Sequence, residues 1–176
     1  MFADGFMRIY LIGYMASGKT RVGKELSAFT GYPFVDTDDL FEERYRISIL
    51  DFFERYNEDA FRKMEKDLLS ETMNYTDAII ATGGGTPCFF DNMEIIKRNG
   101  ISIYLKMGLN SLVDRLANVR KKRPLLKNMT IIEMESFIRT QLAEREPFYS
   151  QADFTVNAEN ATANDILLLI STLGTF

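Results

Sequence analysis

The segment best suited to chemistry is G-Y-M-A-S-G-K-T at positions 13–20. It matches G-x-x-x-x-G-K-[ST], the phosphate-binding P-loop. Gly13 and Gly18 allow a backbone path that turns successive N–H groups toward an anion. The Lys19 ammonium can reach the β- and γ-phosphates of a nucleotide, and the Thr20 hydroxyl can hold Mg²⁺. The alternative is a glycine-rich turn that binds nothing, which the complete motif makes the weaker interpretation.

Two carboxylates, Asp36 and Asp38, follow the short apolar run Phe34-Val35. In an extended segment, residues two apart point the same way, so both could face the phosphate site. One could hold Mg²⁺ and the other could accept a proton from a substrate hydroxyl. The alternative is helix capping, because aspartates are favoured at a helix N-terminus. The P-loop upstream favours the functional interpretation.

Three glycines, Gly83, Gly84 and Gly85, come after the buried-type run 78–81. Consecutive glycines let a backbone approach a ligand closely, although many such runs are only turns. In the basic stretch 120–123, Arg123 could close on the phosphates during phosphoryl transfer, which needs charge compensation. The alternative for this stretch is a solvated surface run.

The amino-acid composition excludes several classes of function. The chain has 176 residues, a net charge of −4, no histidine and one cysteine, Cys88. The absence of histidine excludes His-based triads and His metal sites. The acidic balance argues against a general nucleic-acid binder. A single cysteine is typical of the reducing cytoplasm. We see no signal peptide, and no apolar stretch approaches the roughly 20 residues of a membrane span.

The elements that must position these residues alternate between strand and helix. Strands are predicted at 8–13, 34–35, 78–81, 101–105 and 154–156, with helices between them and a helix at 131–146 that ends before Pro147. This order predicts a three-layer α/β/α fold with a five-stranded parallel sheet of the P-loop kinase type. We expect one domain over 1–176, with a helical substrate-binding insertion at about 38–73 and a lid at about 118–130.

Six segments together resemble the shikimate kinase family over nearly the whole chain. They are G-Y-M-A-S-G-K-T at 13–20, V-D-T-D at 35–38, F-R-K-M-E at 61–65, T-G-G-G at 82–85, R-P-L-L at 123–126 and E-R-E-P-F-Y at 144–149. The P-loop alone indicates only a nucleoside triphosphate. The later segments distinguish this family from other small-molecule kinases.

The resemblance implies a role for each matching residue. Lys19, Asp38 and Arg123 would be catalytic, and Thr20 and Asp36 would form the Mg²⁺ site. The substrate-binding residues would be Asp38, Arg62, Gly83, Gly84, Gly85 and Arg145, with the two arginines clamping the shikimate carboxylate and Glu65 supporting them. The residues expected to bind ATP are Ala16, Ser17, Gly18, Lys19, Thr20, Arg21, Arg115 and Arg123.

The implied reaction converts ATP and shikimate into ADP and shikimate 3-phosphate, a step of aromatic amino-acid biosynthesis. We expect Mg²⁺ as cofactor, no nucleic-acid or membrane partner, a monomer and a cytoplasmic location. Two positions depart from the family pattern: Ala16 replaces a common glycine, and Arg115 is displaced by one residue from the adenine-stacking arginine. The alternatives are another small-molecule kinase, such as a gluconate kinase, and a nucleotide-binding relative without transfer.

Overall fold

Five parallel strands form the centre of the protein, and the computed structural model describes residues 7–119, 126 and 129–172. The strands are β1 (Arg8–Ile12), β2 (Phe34–Asp36), β3 (Ala78–Ala81), β4 (Ile101–Lys106) and β5 (Phe154–Asn157). Their spatial order is β2-β3-β1-β4-β5. All four strand pairings are parallel, so the carboxyl ends of the strands meet at one edge of the sheet.

Helices connect the strands, and the predicted α/β class is confirmed. They are α1 (Lys19–Thr30), α2 (Thr37–Tyr45), α3 (Ile49–Arg55), α4 (Glu58–Glu71), α5 (Asn92–Asn99), α6 (Leu109–Val119), α7 (Ile131–Tyr149) and α8 (Ala163–Ser171). Strands β1 and β3 are almost completely buried, because helices cover both faces of a parallel sheet. No described helix is long and apolar enough to span a membrane.

The helices between β2 and β3 have a hydrophobic core of their own. Phe41, Phe52, Phe61 and Leu68 are buried in one cluster, apart from the main core around the sheet. The Phe41 and Phe61 ring centroids lie 4.9 Å apart, within the range of a favourable aromatic pair. This second cluster holds α4 in place, and α4 carries one of the predicted substrate arginines.

The predicted end of α7 before Pro147 is wrong. The helix continues to Tyr149 with Pro147 inside its last turn. Tyr149 is fully buried, and its hydroxyl donates to the Gly84 carbonyl. Burial of the Tyr149 side chain and its hydrogen bond stabilise this extra turn. Their contribution offsets the loss of the backbone hydrogen bond that Pro147 cannot make.

Candidate active site

The P-loop connects the carboxyl end of β1 to α1, as the motif requires. Gly13 has φ +140° and Gly18 has φ +99°, conformations that side-chain-bearing residues rarely adopt. A Cβ atom at Gly13 would also lie 2.8 Å from the Leu105 carbonyl oxygen. The Lys19 ammonium donates to the Gly13 and Tyr14 carbonyls at 2.8 and 2.9 Å. The backbone of the P-loop therefore fixes the position of the Lys19 ammonium.

Replacement of Gly13 by alanine should damage both stability and nucleotide binding. Left-handed strain costs about 1–3 kcal/mol, and the overlap with the Leu105 carbonyl adds to it. Gly31→Ala is the matched control: its φ is +74°, but a Cβ there meets nothing within 4 Å. Thermal unfolding and ATP titration should show the larger Tm loss and weaker ATP binding only in Gly13→Ala. Equal effects of the two variants would contradict the clash argument.

Asp36 caps α2 and also bonds a P-loop residue, while its Mg²⁺ role stays a prediction. One carboxylate oxygen caps α2 by accepting from the Asp38 amide at 3.1 Å, and the other accepts from the Thr20 hydroxyl at 2.8 Å. The extended-segment argument for Asp36 and Asp38 is wrong, because α2 begins between them at Thr37. Both side chains still line the phosphate cavity, because the strand end and the first helical turn lie beside the P-loop.

A cavity of about 200 Å³ collects most of the predicted nucleotide and metal residues. Its lining comprises Met15, Ala16, Gly18, Lys19, Thr20, Arg21, Asp36, Asp38, Thr82 and Gly84. Ser17 is different, because its side chain is buried at 1% exposure and its hydroxyl has no hydrogen-bond partner among the described residues. Ala16 adopts φ +64°, a conformation that favours the glycine common in related P-loops.

The triple glycine packs directly against the P-loop. A Cβ atom at Gly84 would lie 3.1 Å from the Met15 amide nitrogen, a tight contact that would push the P-loop backbone away by a few tenths of an ångström. A Cβ at Gly83 would meet carboxylate oxygens of Glu65 at 2.6 Å and Asp38 at 2.9 Å. The glycine loop therefore places the P-loop next to the polar side chains of Glu65 and Asp38 and, through Gly85, of Arg62.

Arg62 lies on α4, with its guanidinium against Gly85, and is 8% exposed. It donates to Glu65 at 2.8 Å and to Glu58 at 2.8 and 3.1 Å, and its guanidinium carbon lies 4.1 Å from the Phe89 ring centroid. Burial alone would lower the pKa of Arg62, but the carboxylates of Glu65 and Glu58 outweigh it and raise the pKa. Arg62 is thus a fixed positive charge.

Arg145 projects from α7 to the same region. Burial raises the pKa of the Cys88 thiol to about 11, while the charges of Arg145 and Arg62 act in the opposite direction. Both arginines therefore lie within electrostatic reach of one half-buried thiol. No carboxylate of the described residues forms an ion pair with Arg145, in contrast to Arg62. The pair resembles a receptor for a carboxylate, which guanidinium groups bind with two parallel hydrogen bonds.

Comparison with known proteins decides the family. A sequence profile described as shikimate kinase matches residues 15–173. The chain belongs to the shikimate kinase family. A shikimate kinase of Parabacteroides distasonis is 42% identical over 160 residues, which cover 90% of this chain and 92% of that protein. One of Bacteroides fragilis is 40% identical and covers 87% of this chain and 86% of its own length. The family predicted from the motifs is confirmed.

Solved structures agree with this placement. A shikimate kinase crystal structure from Bacteroides thetaiotaomicron has a TM-score of 0.88 and 34% identity, covering 97% of this chain and 99% of that one. The Acinetobacter baumannii shikimate kinase in complex with shikimate has a TM-score of 0.84 and 32% identity, covering 96% and 92%. A Sinorhizobium meliloti gluconokinase, at 15% identity, TM-score 0.61 and coverage of 95% and 93%, shares the fold alone.

The remaining predicted nucleotide residues lie around the P-loop. Arg115 is exposed, and it donates to the Ala16 carbonyl at 3.1 Å. Arg21 donates to Glu25 at 2.8 Å and to the Ala161 carbonyl at 3.1 Å, which connects α1 to the segment between β5 and α8. Their ATP contacts stay predictions of the shikimate kinase resemblance. Arg123 and most of the predicted lid lie outside the described residues.

Three residues that organise the shikimate kinase site were absent from the prediction. Thr37 accepts from the Gly83 amide at 3.0 Å, and Thr86 donates to Glu65 at 2.6 Å. Glu58 was detectable in the sequence, because it precedes Arg62 by one helical turn and an acidic residue at that spacing pairs with an arginine. The threonine contacts join residues far apart in the chain, so no local pattern reveals them.

Proposed function

We propose that the protein transfers the γ-phosphoryl group of ATP to the 3-hydroxyl of shikimate, giving ADP and shikimate 3-phosphate in aromatic amino-acid biosynthesis. The observation that carries the proposal is the contact between the P-loop and the triple glycine. At this junction Gly84 lies against the P-loop backbone and Gly85 lies against the Arg62 guanidinium, while the charges of Arg62 and Arg145 both act on the Cys88 thiol. Such a junction suits the transfer of a phosphoryl group to a small carboxylic acid held in line with it.

The residues around this junction have separate roles in binding the phosphates, the attacking hydroxyl and the carboxylate of the acceptor. Lys19 supplies positive charge at the phosphates, and the backbone N–H groups of the P-loop and of the α1 N-terminus bind them. Asp38 lines the phosphate cavity beside Gly83, where it can accept a hydrogen bond from the attacking hydroxyl. Arg62 and Arg145 hold the acid at its far end. The acceptor is thereby fixed at both ends before transfer.

The Thr20 hydroxyl and the Asp36 carboxylate would hold Mg²⁺. They are hydrogen-bonded to each other at 2.8 Å at the edge of the phosphate cavity. Among the described residues no cluster of three or more His, Cys, Asp or Glu could form a complete metal cage. This fits Mg²⁺, which keeps several waters and uses one or two protein oxygens together with substrate phosphates. When bound, the ion neutralises charge on the β- and γ-phosphates.

An ADP-release assay with shikimate and gluconate as acceptors tests the function. We expect turnover with shikimate and none above background with gluconate. ATP hydrolysis without an acceptor is subtracted as the blank. Turnover with gluconate and none with shikimate would show that the protein is a gluconate kinase. ATP binding without phosphoryl transfer to either acid would show that it is an inactive relative.

Arg145→Ala should weaken acid binding without disturbing the nucleotide. A hydrogen bond between charged groups contributes about 1.5–3 kcal/mol, so the KM for shikimate should rise about tenfold to a hundredfold. The KM for ATP should stay near its original value. Steady-state kinetics with each substrate varied in turn give both constants.

Arg139→Ala is the matched control, because Arg139 lies exposed on the same helix and pairs only with Glu135 among the described residues. An unchanged KM for shikimate in Arg145→Ala would show that Arg145 does not bind the shikimate carboxylate. Arg62→Ala is less clean, since it leaves Glu65 buried without its cation, which typically costs about 3–5 kcal/mol of stability. Its kinetics therefore require a Tm measurement beside them.

We further propose a monomer that binds no nucleic acid and acts in the cytoplasm. The net charge of −4 supports the absence of a nucleic-acid partner, and the single cysteine supports the cytoplasmic location. Light scattering of the purified protein at several concentrations checks the monomer.

A further inference from the structure

Tyr14 lies where the two halves of the site meet. It is the first residue after the leading glycine of the P-loop, and its side chain is 2% exposed. Its carbonyl accepts from the Lys19 ammonium at 2.9 Å. Its hydroxyl donates to the Gln141 side-chain oxygen on α7 at 2.8 Å. One residue thus joins the phosphate-binding lysine to the helix that carries Arg145.

The ring of Tyr14 also contacts Arg145 itself. The guanidinium carbon of Arg145 lies 5.2 Å from the ring centroid, within the range of a cation–π contact. Burial raises the pKa of Tyr14 to about 12, and the charge of Arg145 opposes this rise. Gln141 and Arg145 are one helical turn apart, so Tyr14 meets both on the same face of α7.

A guanidinium that lies over an aromatic ring keeps its in-plane N–H donors available. These donors are the ones that bind a carboxylate with two parallel hydrogen bonds. An arginine side chain otherwise has much rotamer freedom to lose, and fixing it beforehand reduces the cost of binding. Arg145 also forms a side-chain hydrogen bond with the Tyr149 hydroxyl on its own helix. The Tyr14 ring adds a second restraint, from the P-loop side.

We propose that Tyr14 is a positioning residue for the acceptor, and that its ring orients Arg145 toward the substrate carboxylate. The proposal rests on the proposed function in one respect, the assignment of Arg145 to that carboxylate. It adds a P-loop residue to the acceptor half of the site. The hydroxyl of Tyr14 has the lesser role, since it binds Gln141 rather than Arg145.

Two variants separate the ring from the hydroxyl. Tyr14→Leu removes the aromatic face and should raise the KM for shikimate about three- to tenfold, the size of a partly desolvated cation–π contact. Tyr14→Phe keeps the face and should stay within about twofold of the original KM. The KM for ATP should change little in either. Tyr14→Met, an unbranched apolar filler, replaces the leucine variant if that one does not fold.

Tyr10→Leu is the control for general loss of packing. Tyr10 is equally buried, but it lies on β1 and bonds Thr72 rather than a site residue. It should lower the Tm without raising the shikimate KM of the folded enzyme. An unchanged KM in Tyr14→Leu, or equal increases in Tyr14→Leu and Tyr10→Leu, would overturn the proposal.

A double-mutant cycle tests whether Tyr14 acts through Arg145. In an Arg145→Met background, Tyr14→Leu should cause no further rise in the shikimate KM. The same fold increase in both backgrounds would mean that Tyr14 acts independently, which contradicts the proposal. Turnover of shikimate by the unmodified protein is measured first. Its absence would defeat the proposed function itself, so the two failures are distinguishable.

Discussion

Lys19→Met should lower kcat for phosphoryl transfer by about a thousandfold, the upper range for loss of one charge-stabilising donor. The lysine is 9% exposed at the mouth of the P-loop, so its charge is only weakly screened by water. Methionine preserves much of the side-chain length without the ammonium. ATP binding should weaken as well, because the same ammonium reaches the phosphates in the ground state. Single-turnover kinetics at saturating ATP separate the two effects.

The stability of Lys19→Met has to be measured with its kinetics. The Lys19 ammonium bonds the Gly13 and Tyr14 carbonyls, and a buried acceptor left unpaired costs about 1–3 kcal/mol. Lys24→Met is the matched control, because Lys24 lies exposed on α1 outside the cavity lining. A fall in kcat below tenfold in a folded Lys19→Met enzyme would mean that another cation supplies the charge.

Much of the fold follows from local patterns in the sequence. Five short apolar runs separated by helical segments are sufficient to predict the parallel sheet, and their bounds agree with the observed strands to within one residue. Pro147 misled the prediction of the α7 C-terminus. A proline in a last turn costs one backbone hydrogen bond, and the burial of Tyr149 outweighs this cost. That burial depends on the whole fold, so no local pattern reveals it.

The site was predictable where its residues follow strand ends. The P-loop, Asp36 and the triple glycine come after β1, β2 and β3, and the carboxyl ends of neighbouring parallel strands meet at one edge. Tyr14 shows the limit of this argument. Its contact with Gln141 joins residues 127 positions apart and depends on how α7 lies over the P-loop. Helix packing of this kind has no signature in a single sequence.

The contacts of the triple glycine explain why glycine occupies three consecutive positions. Gly83 leaves room for the Asp38 carboxylate, Gly84 lies against the P-loop backbone, and a Cβ at Gly85 would meet the Arg62 guanidinium at 2.7 Å. Each glycine therefore faces a different part of the site. A side chain at any of them would displace the group that it faces, and transfer between two bound substrates depends on the placement of these groups.

Asp38→Asn should reduce kcat by about a hundredfold to ten-thousandfold, the usual range for loss of a general base. The amide has almost the same shape as the carboxylate, so packing against Gly83 is kept. It cannot take the proton of the attacking hydroxyl, although its oxygen can still accept a hydrogen bond. ATP affinity, measured by titration in the absence of acceptor, should be nearly unchanged.

The size of the Asp38→Asn effect also decides what Asp38 does. In a loose transition state the attacking hydroxyl needs little help from a base. If the Asp38 carboxylate only orients that hydroxyl, Asp38→Asn should lower kcat by less than about tenfold. Such a small loss would contradict proton acceptance. Asp39→Asn, the same change at the exposed neighbouring position on α2, should keep kcat near its original value. If Asp39→Asn were as damaging as Asp38→Asn, the loss would come from the α2 N-terminus as a whole and not from a carboxylate at the acceptor.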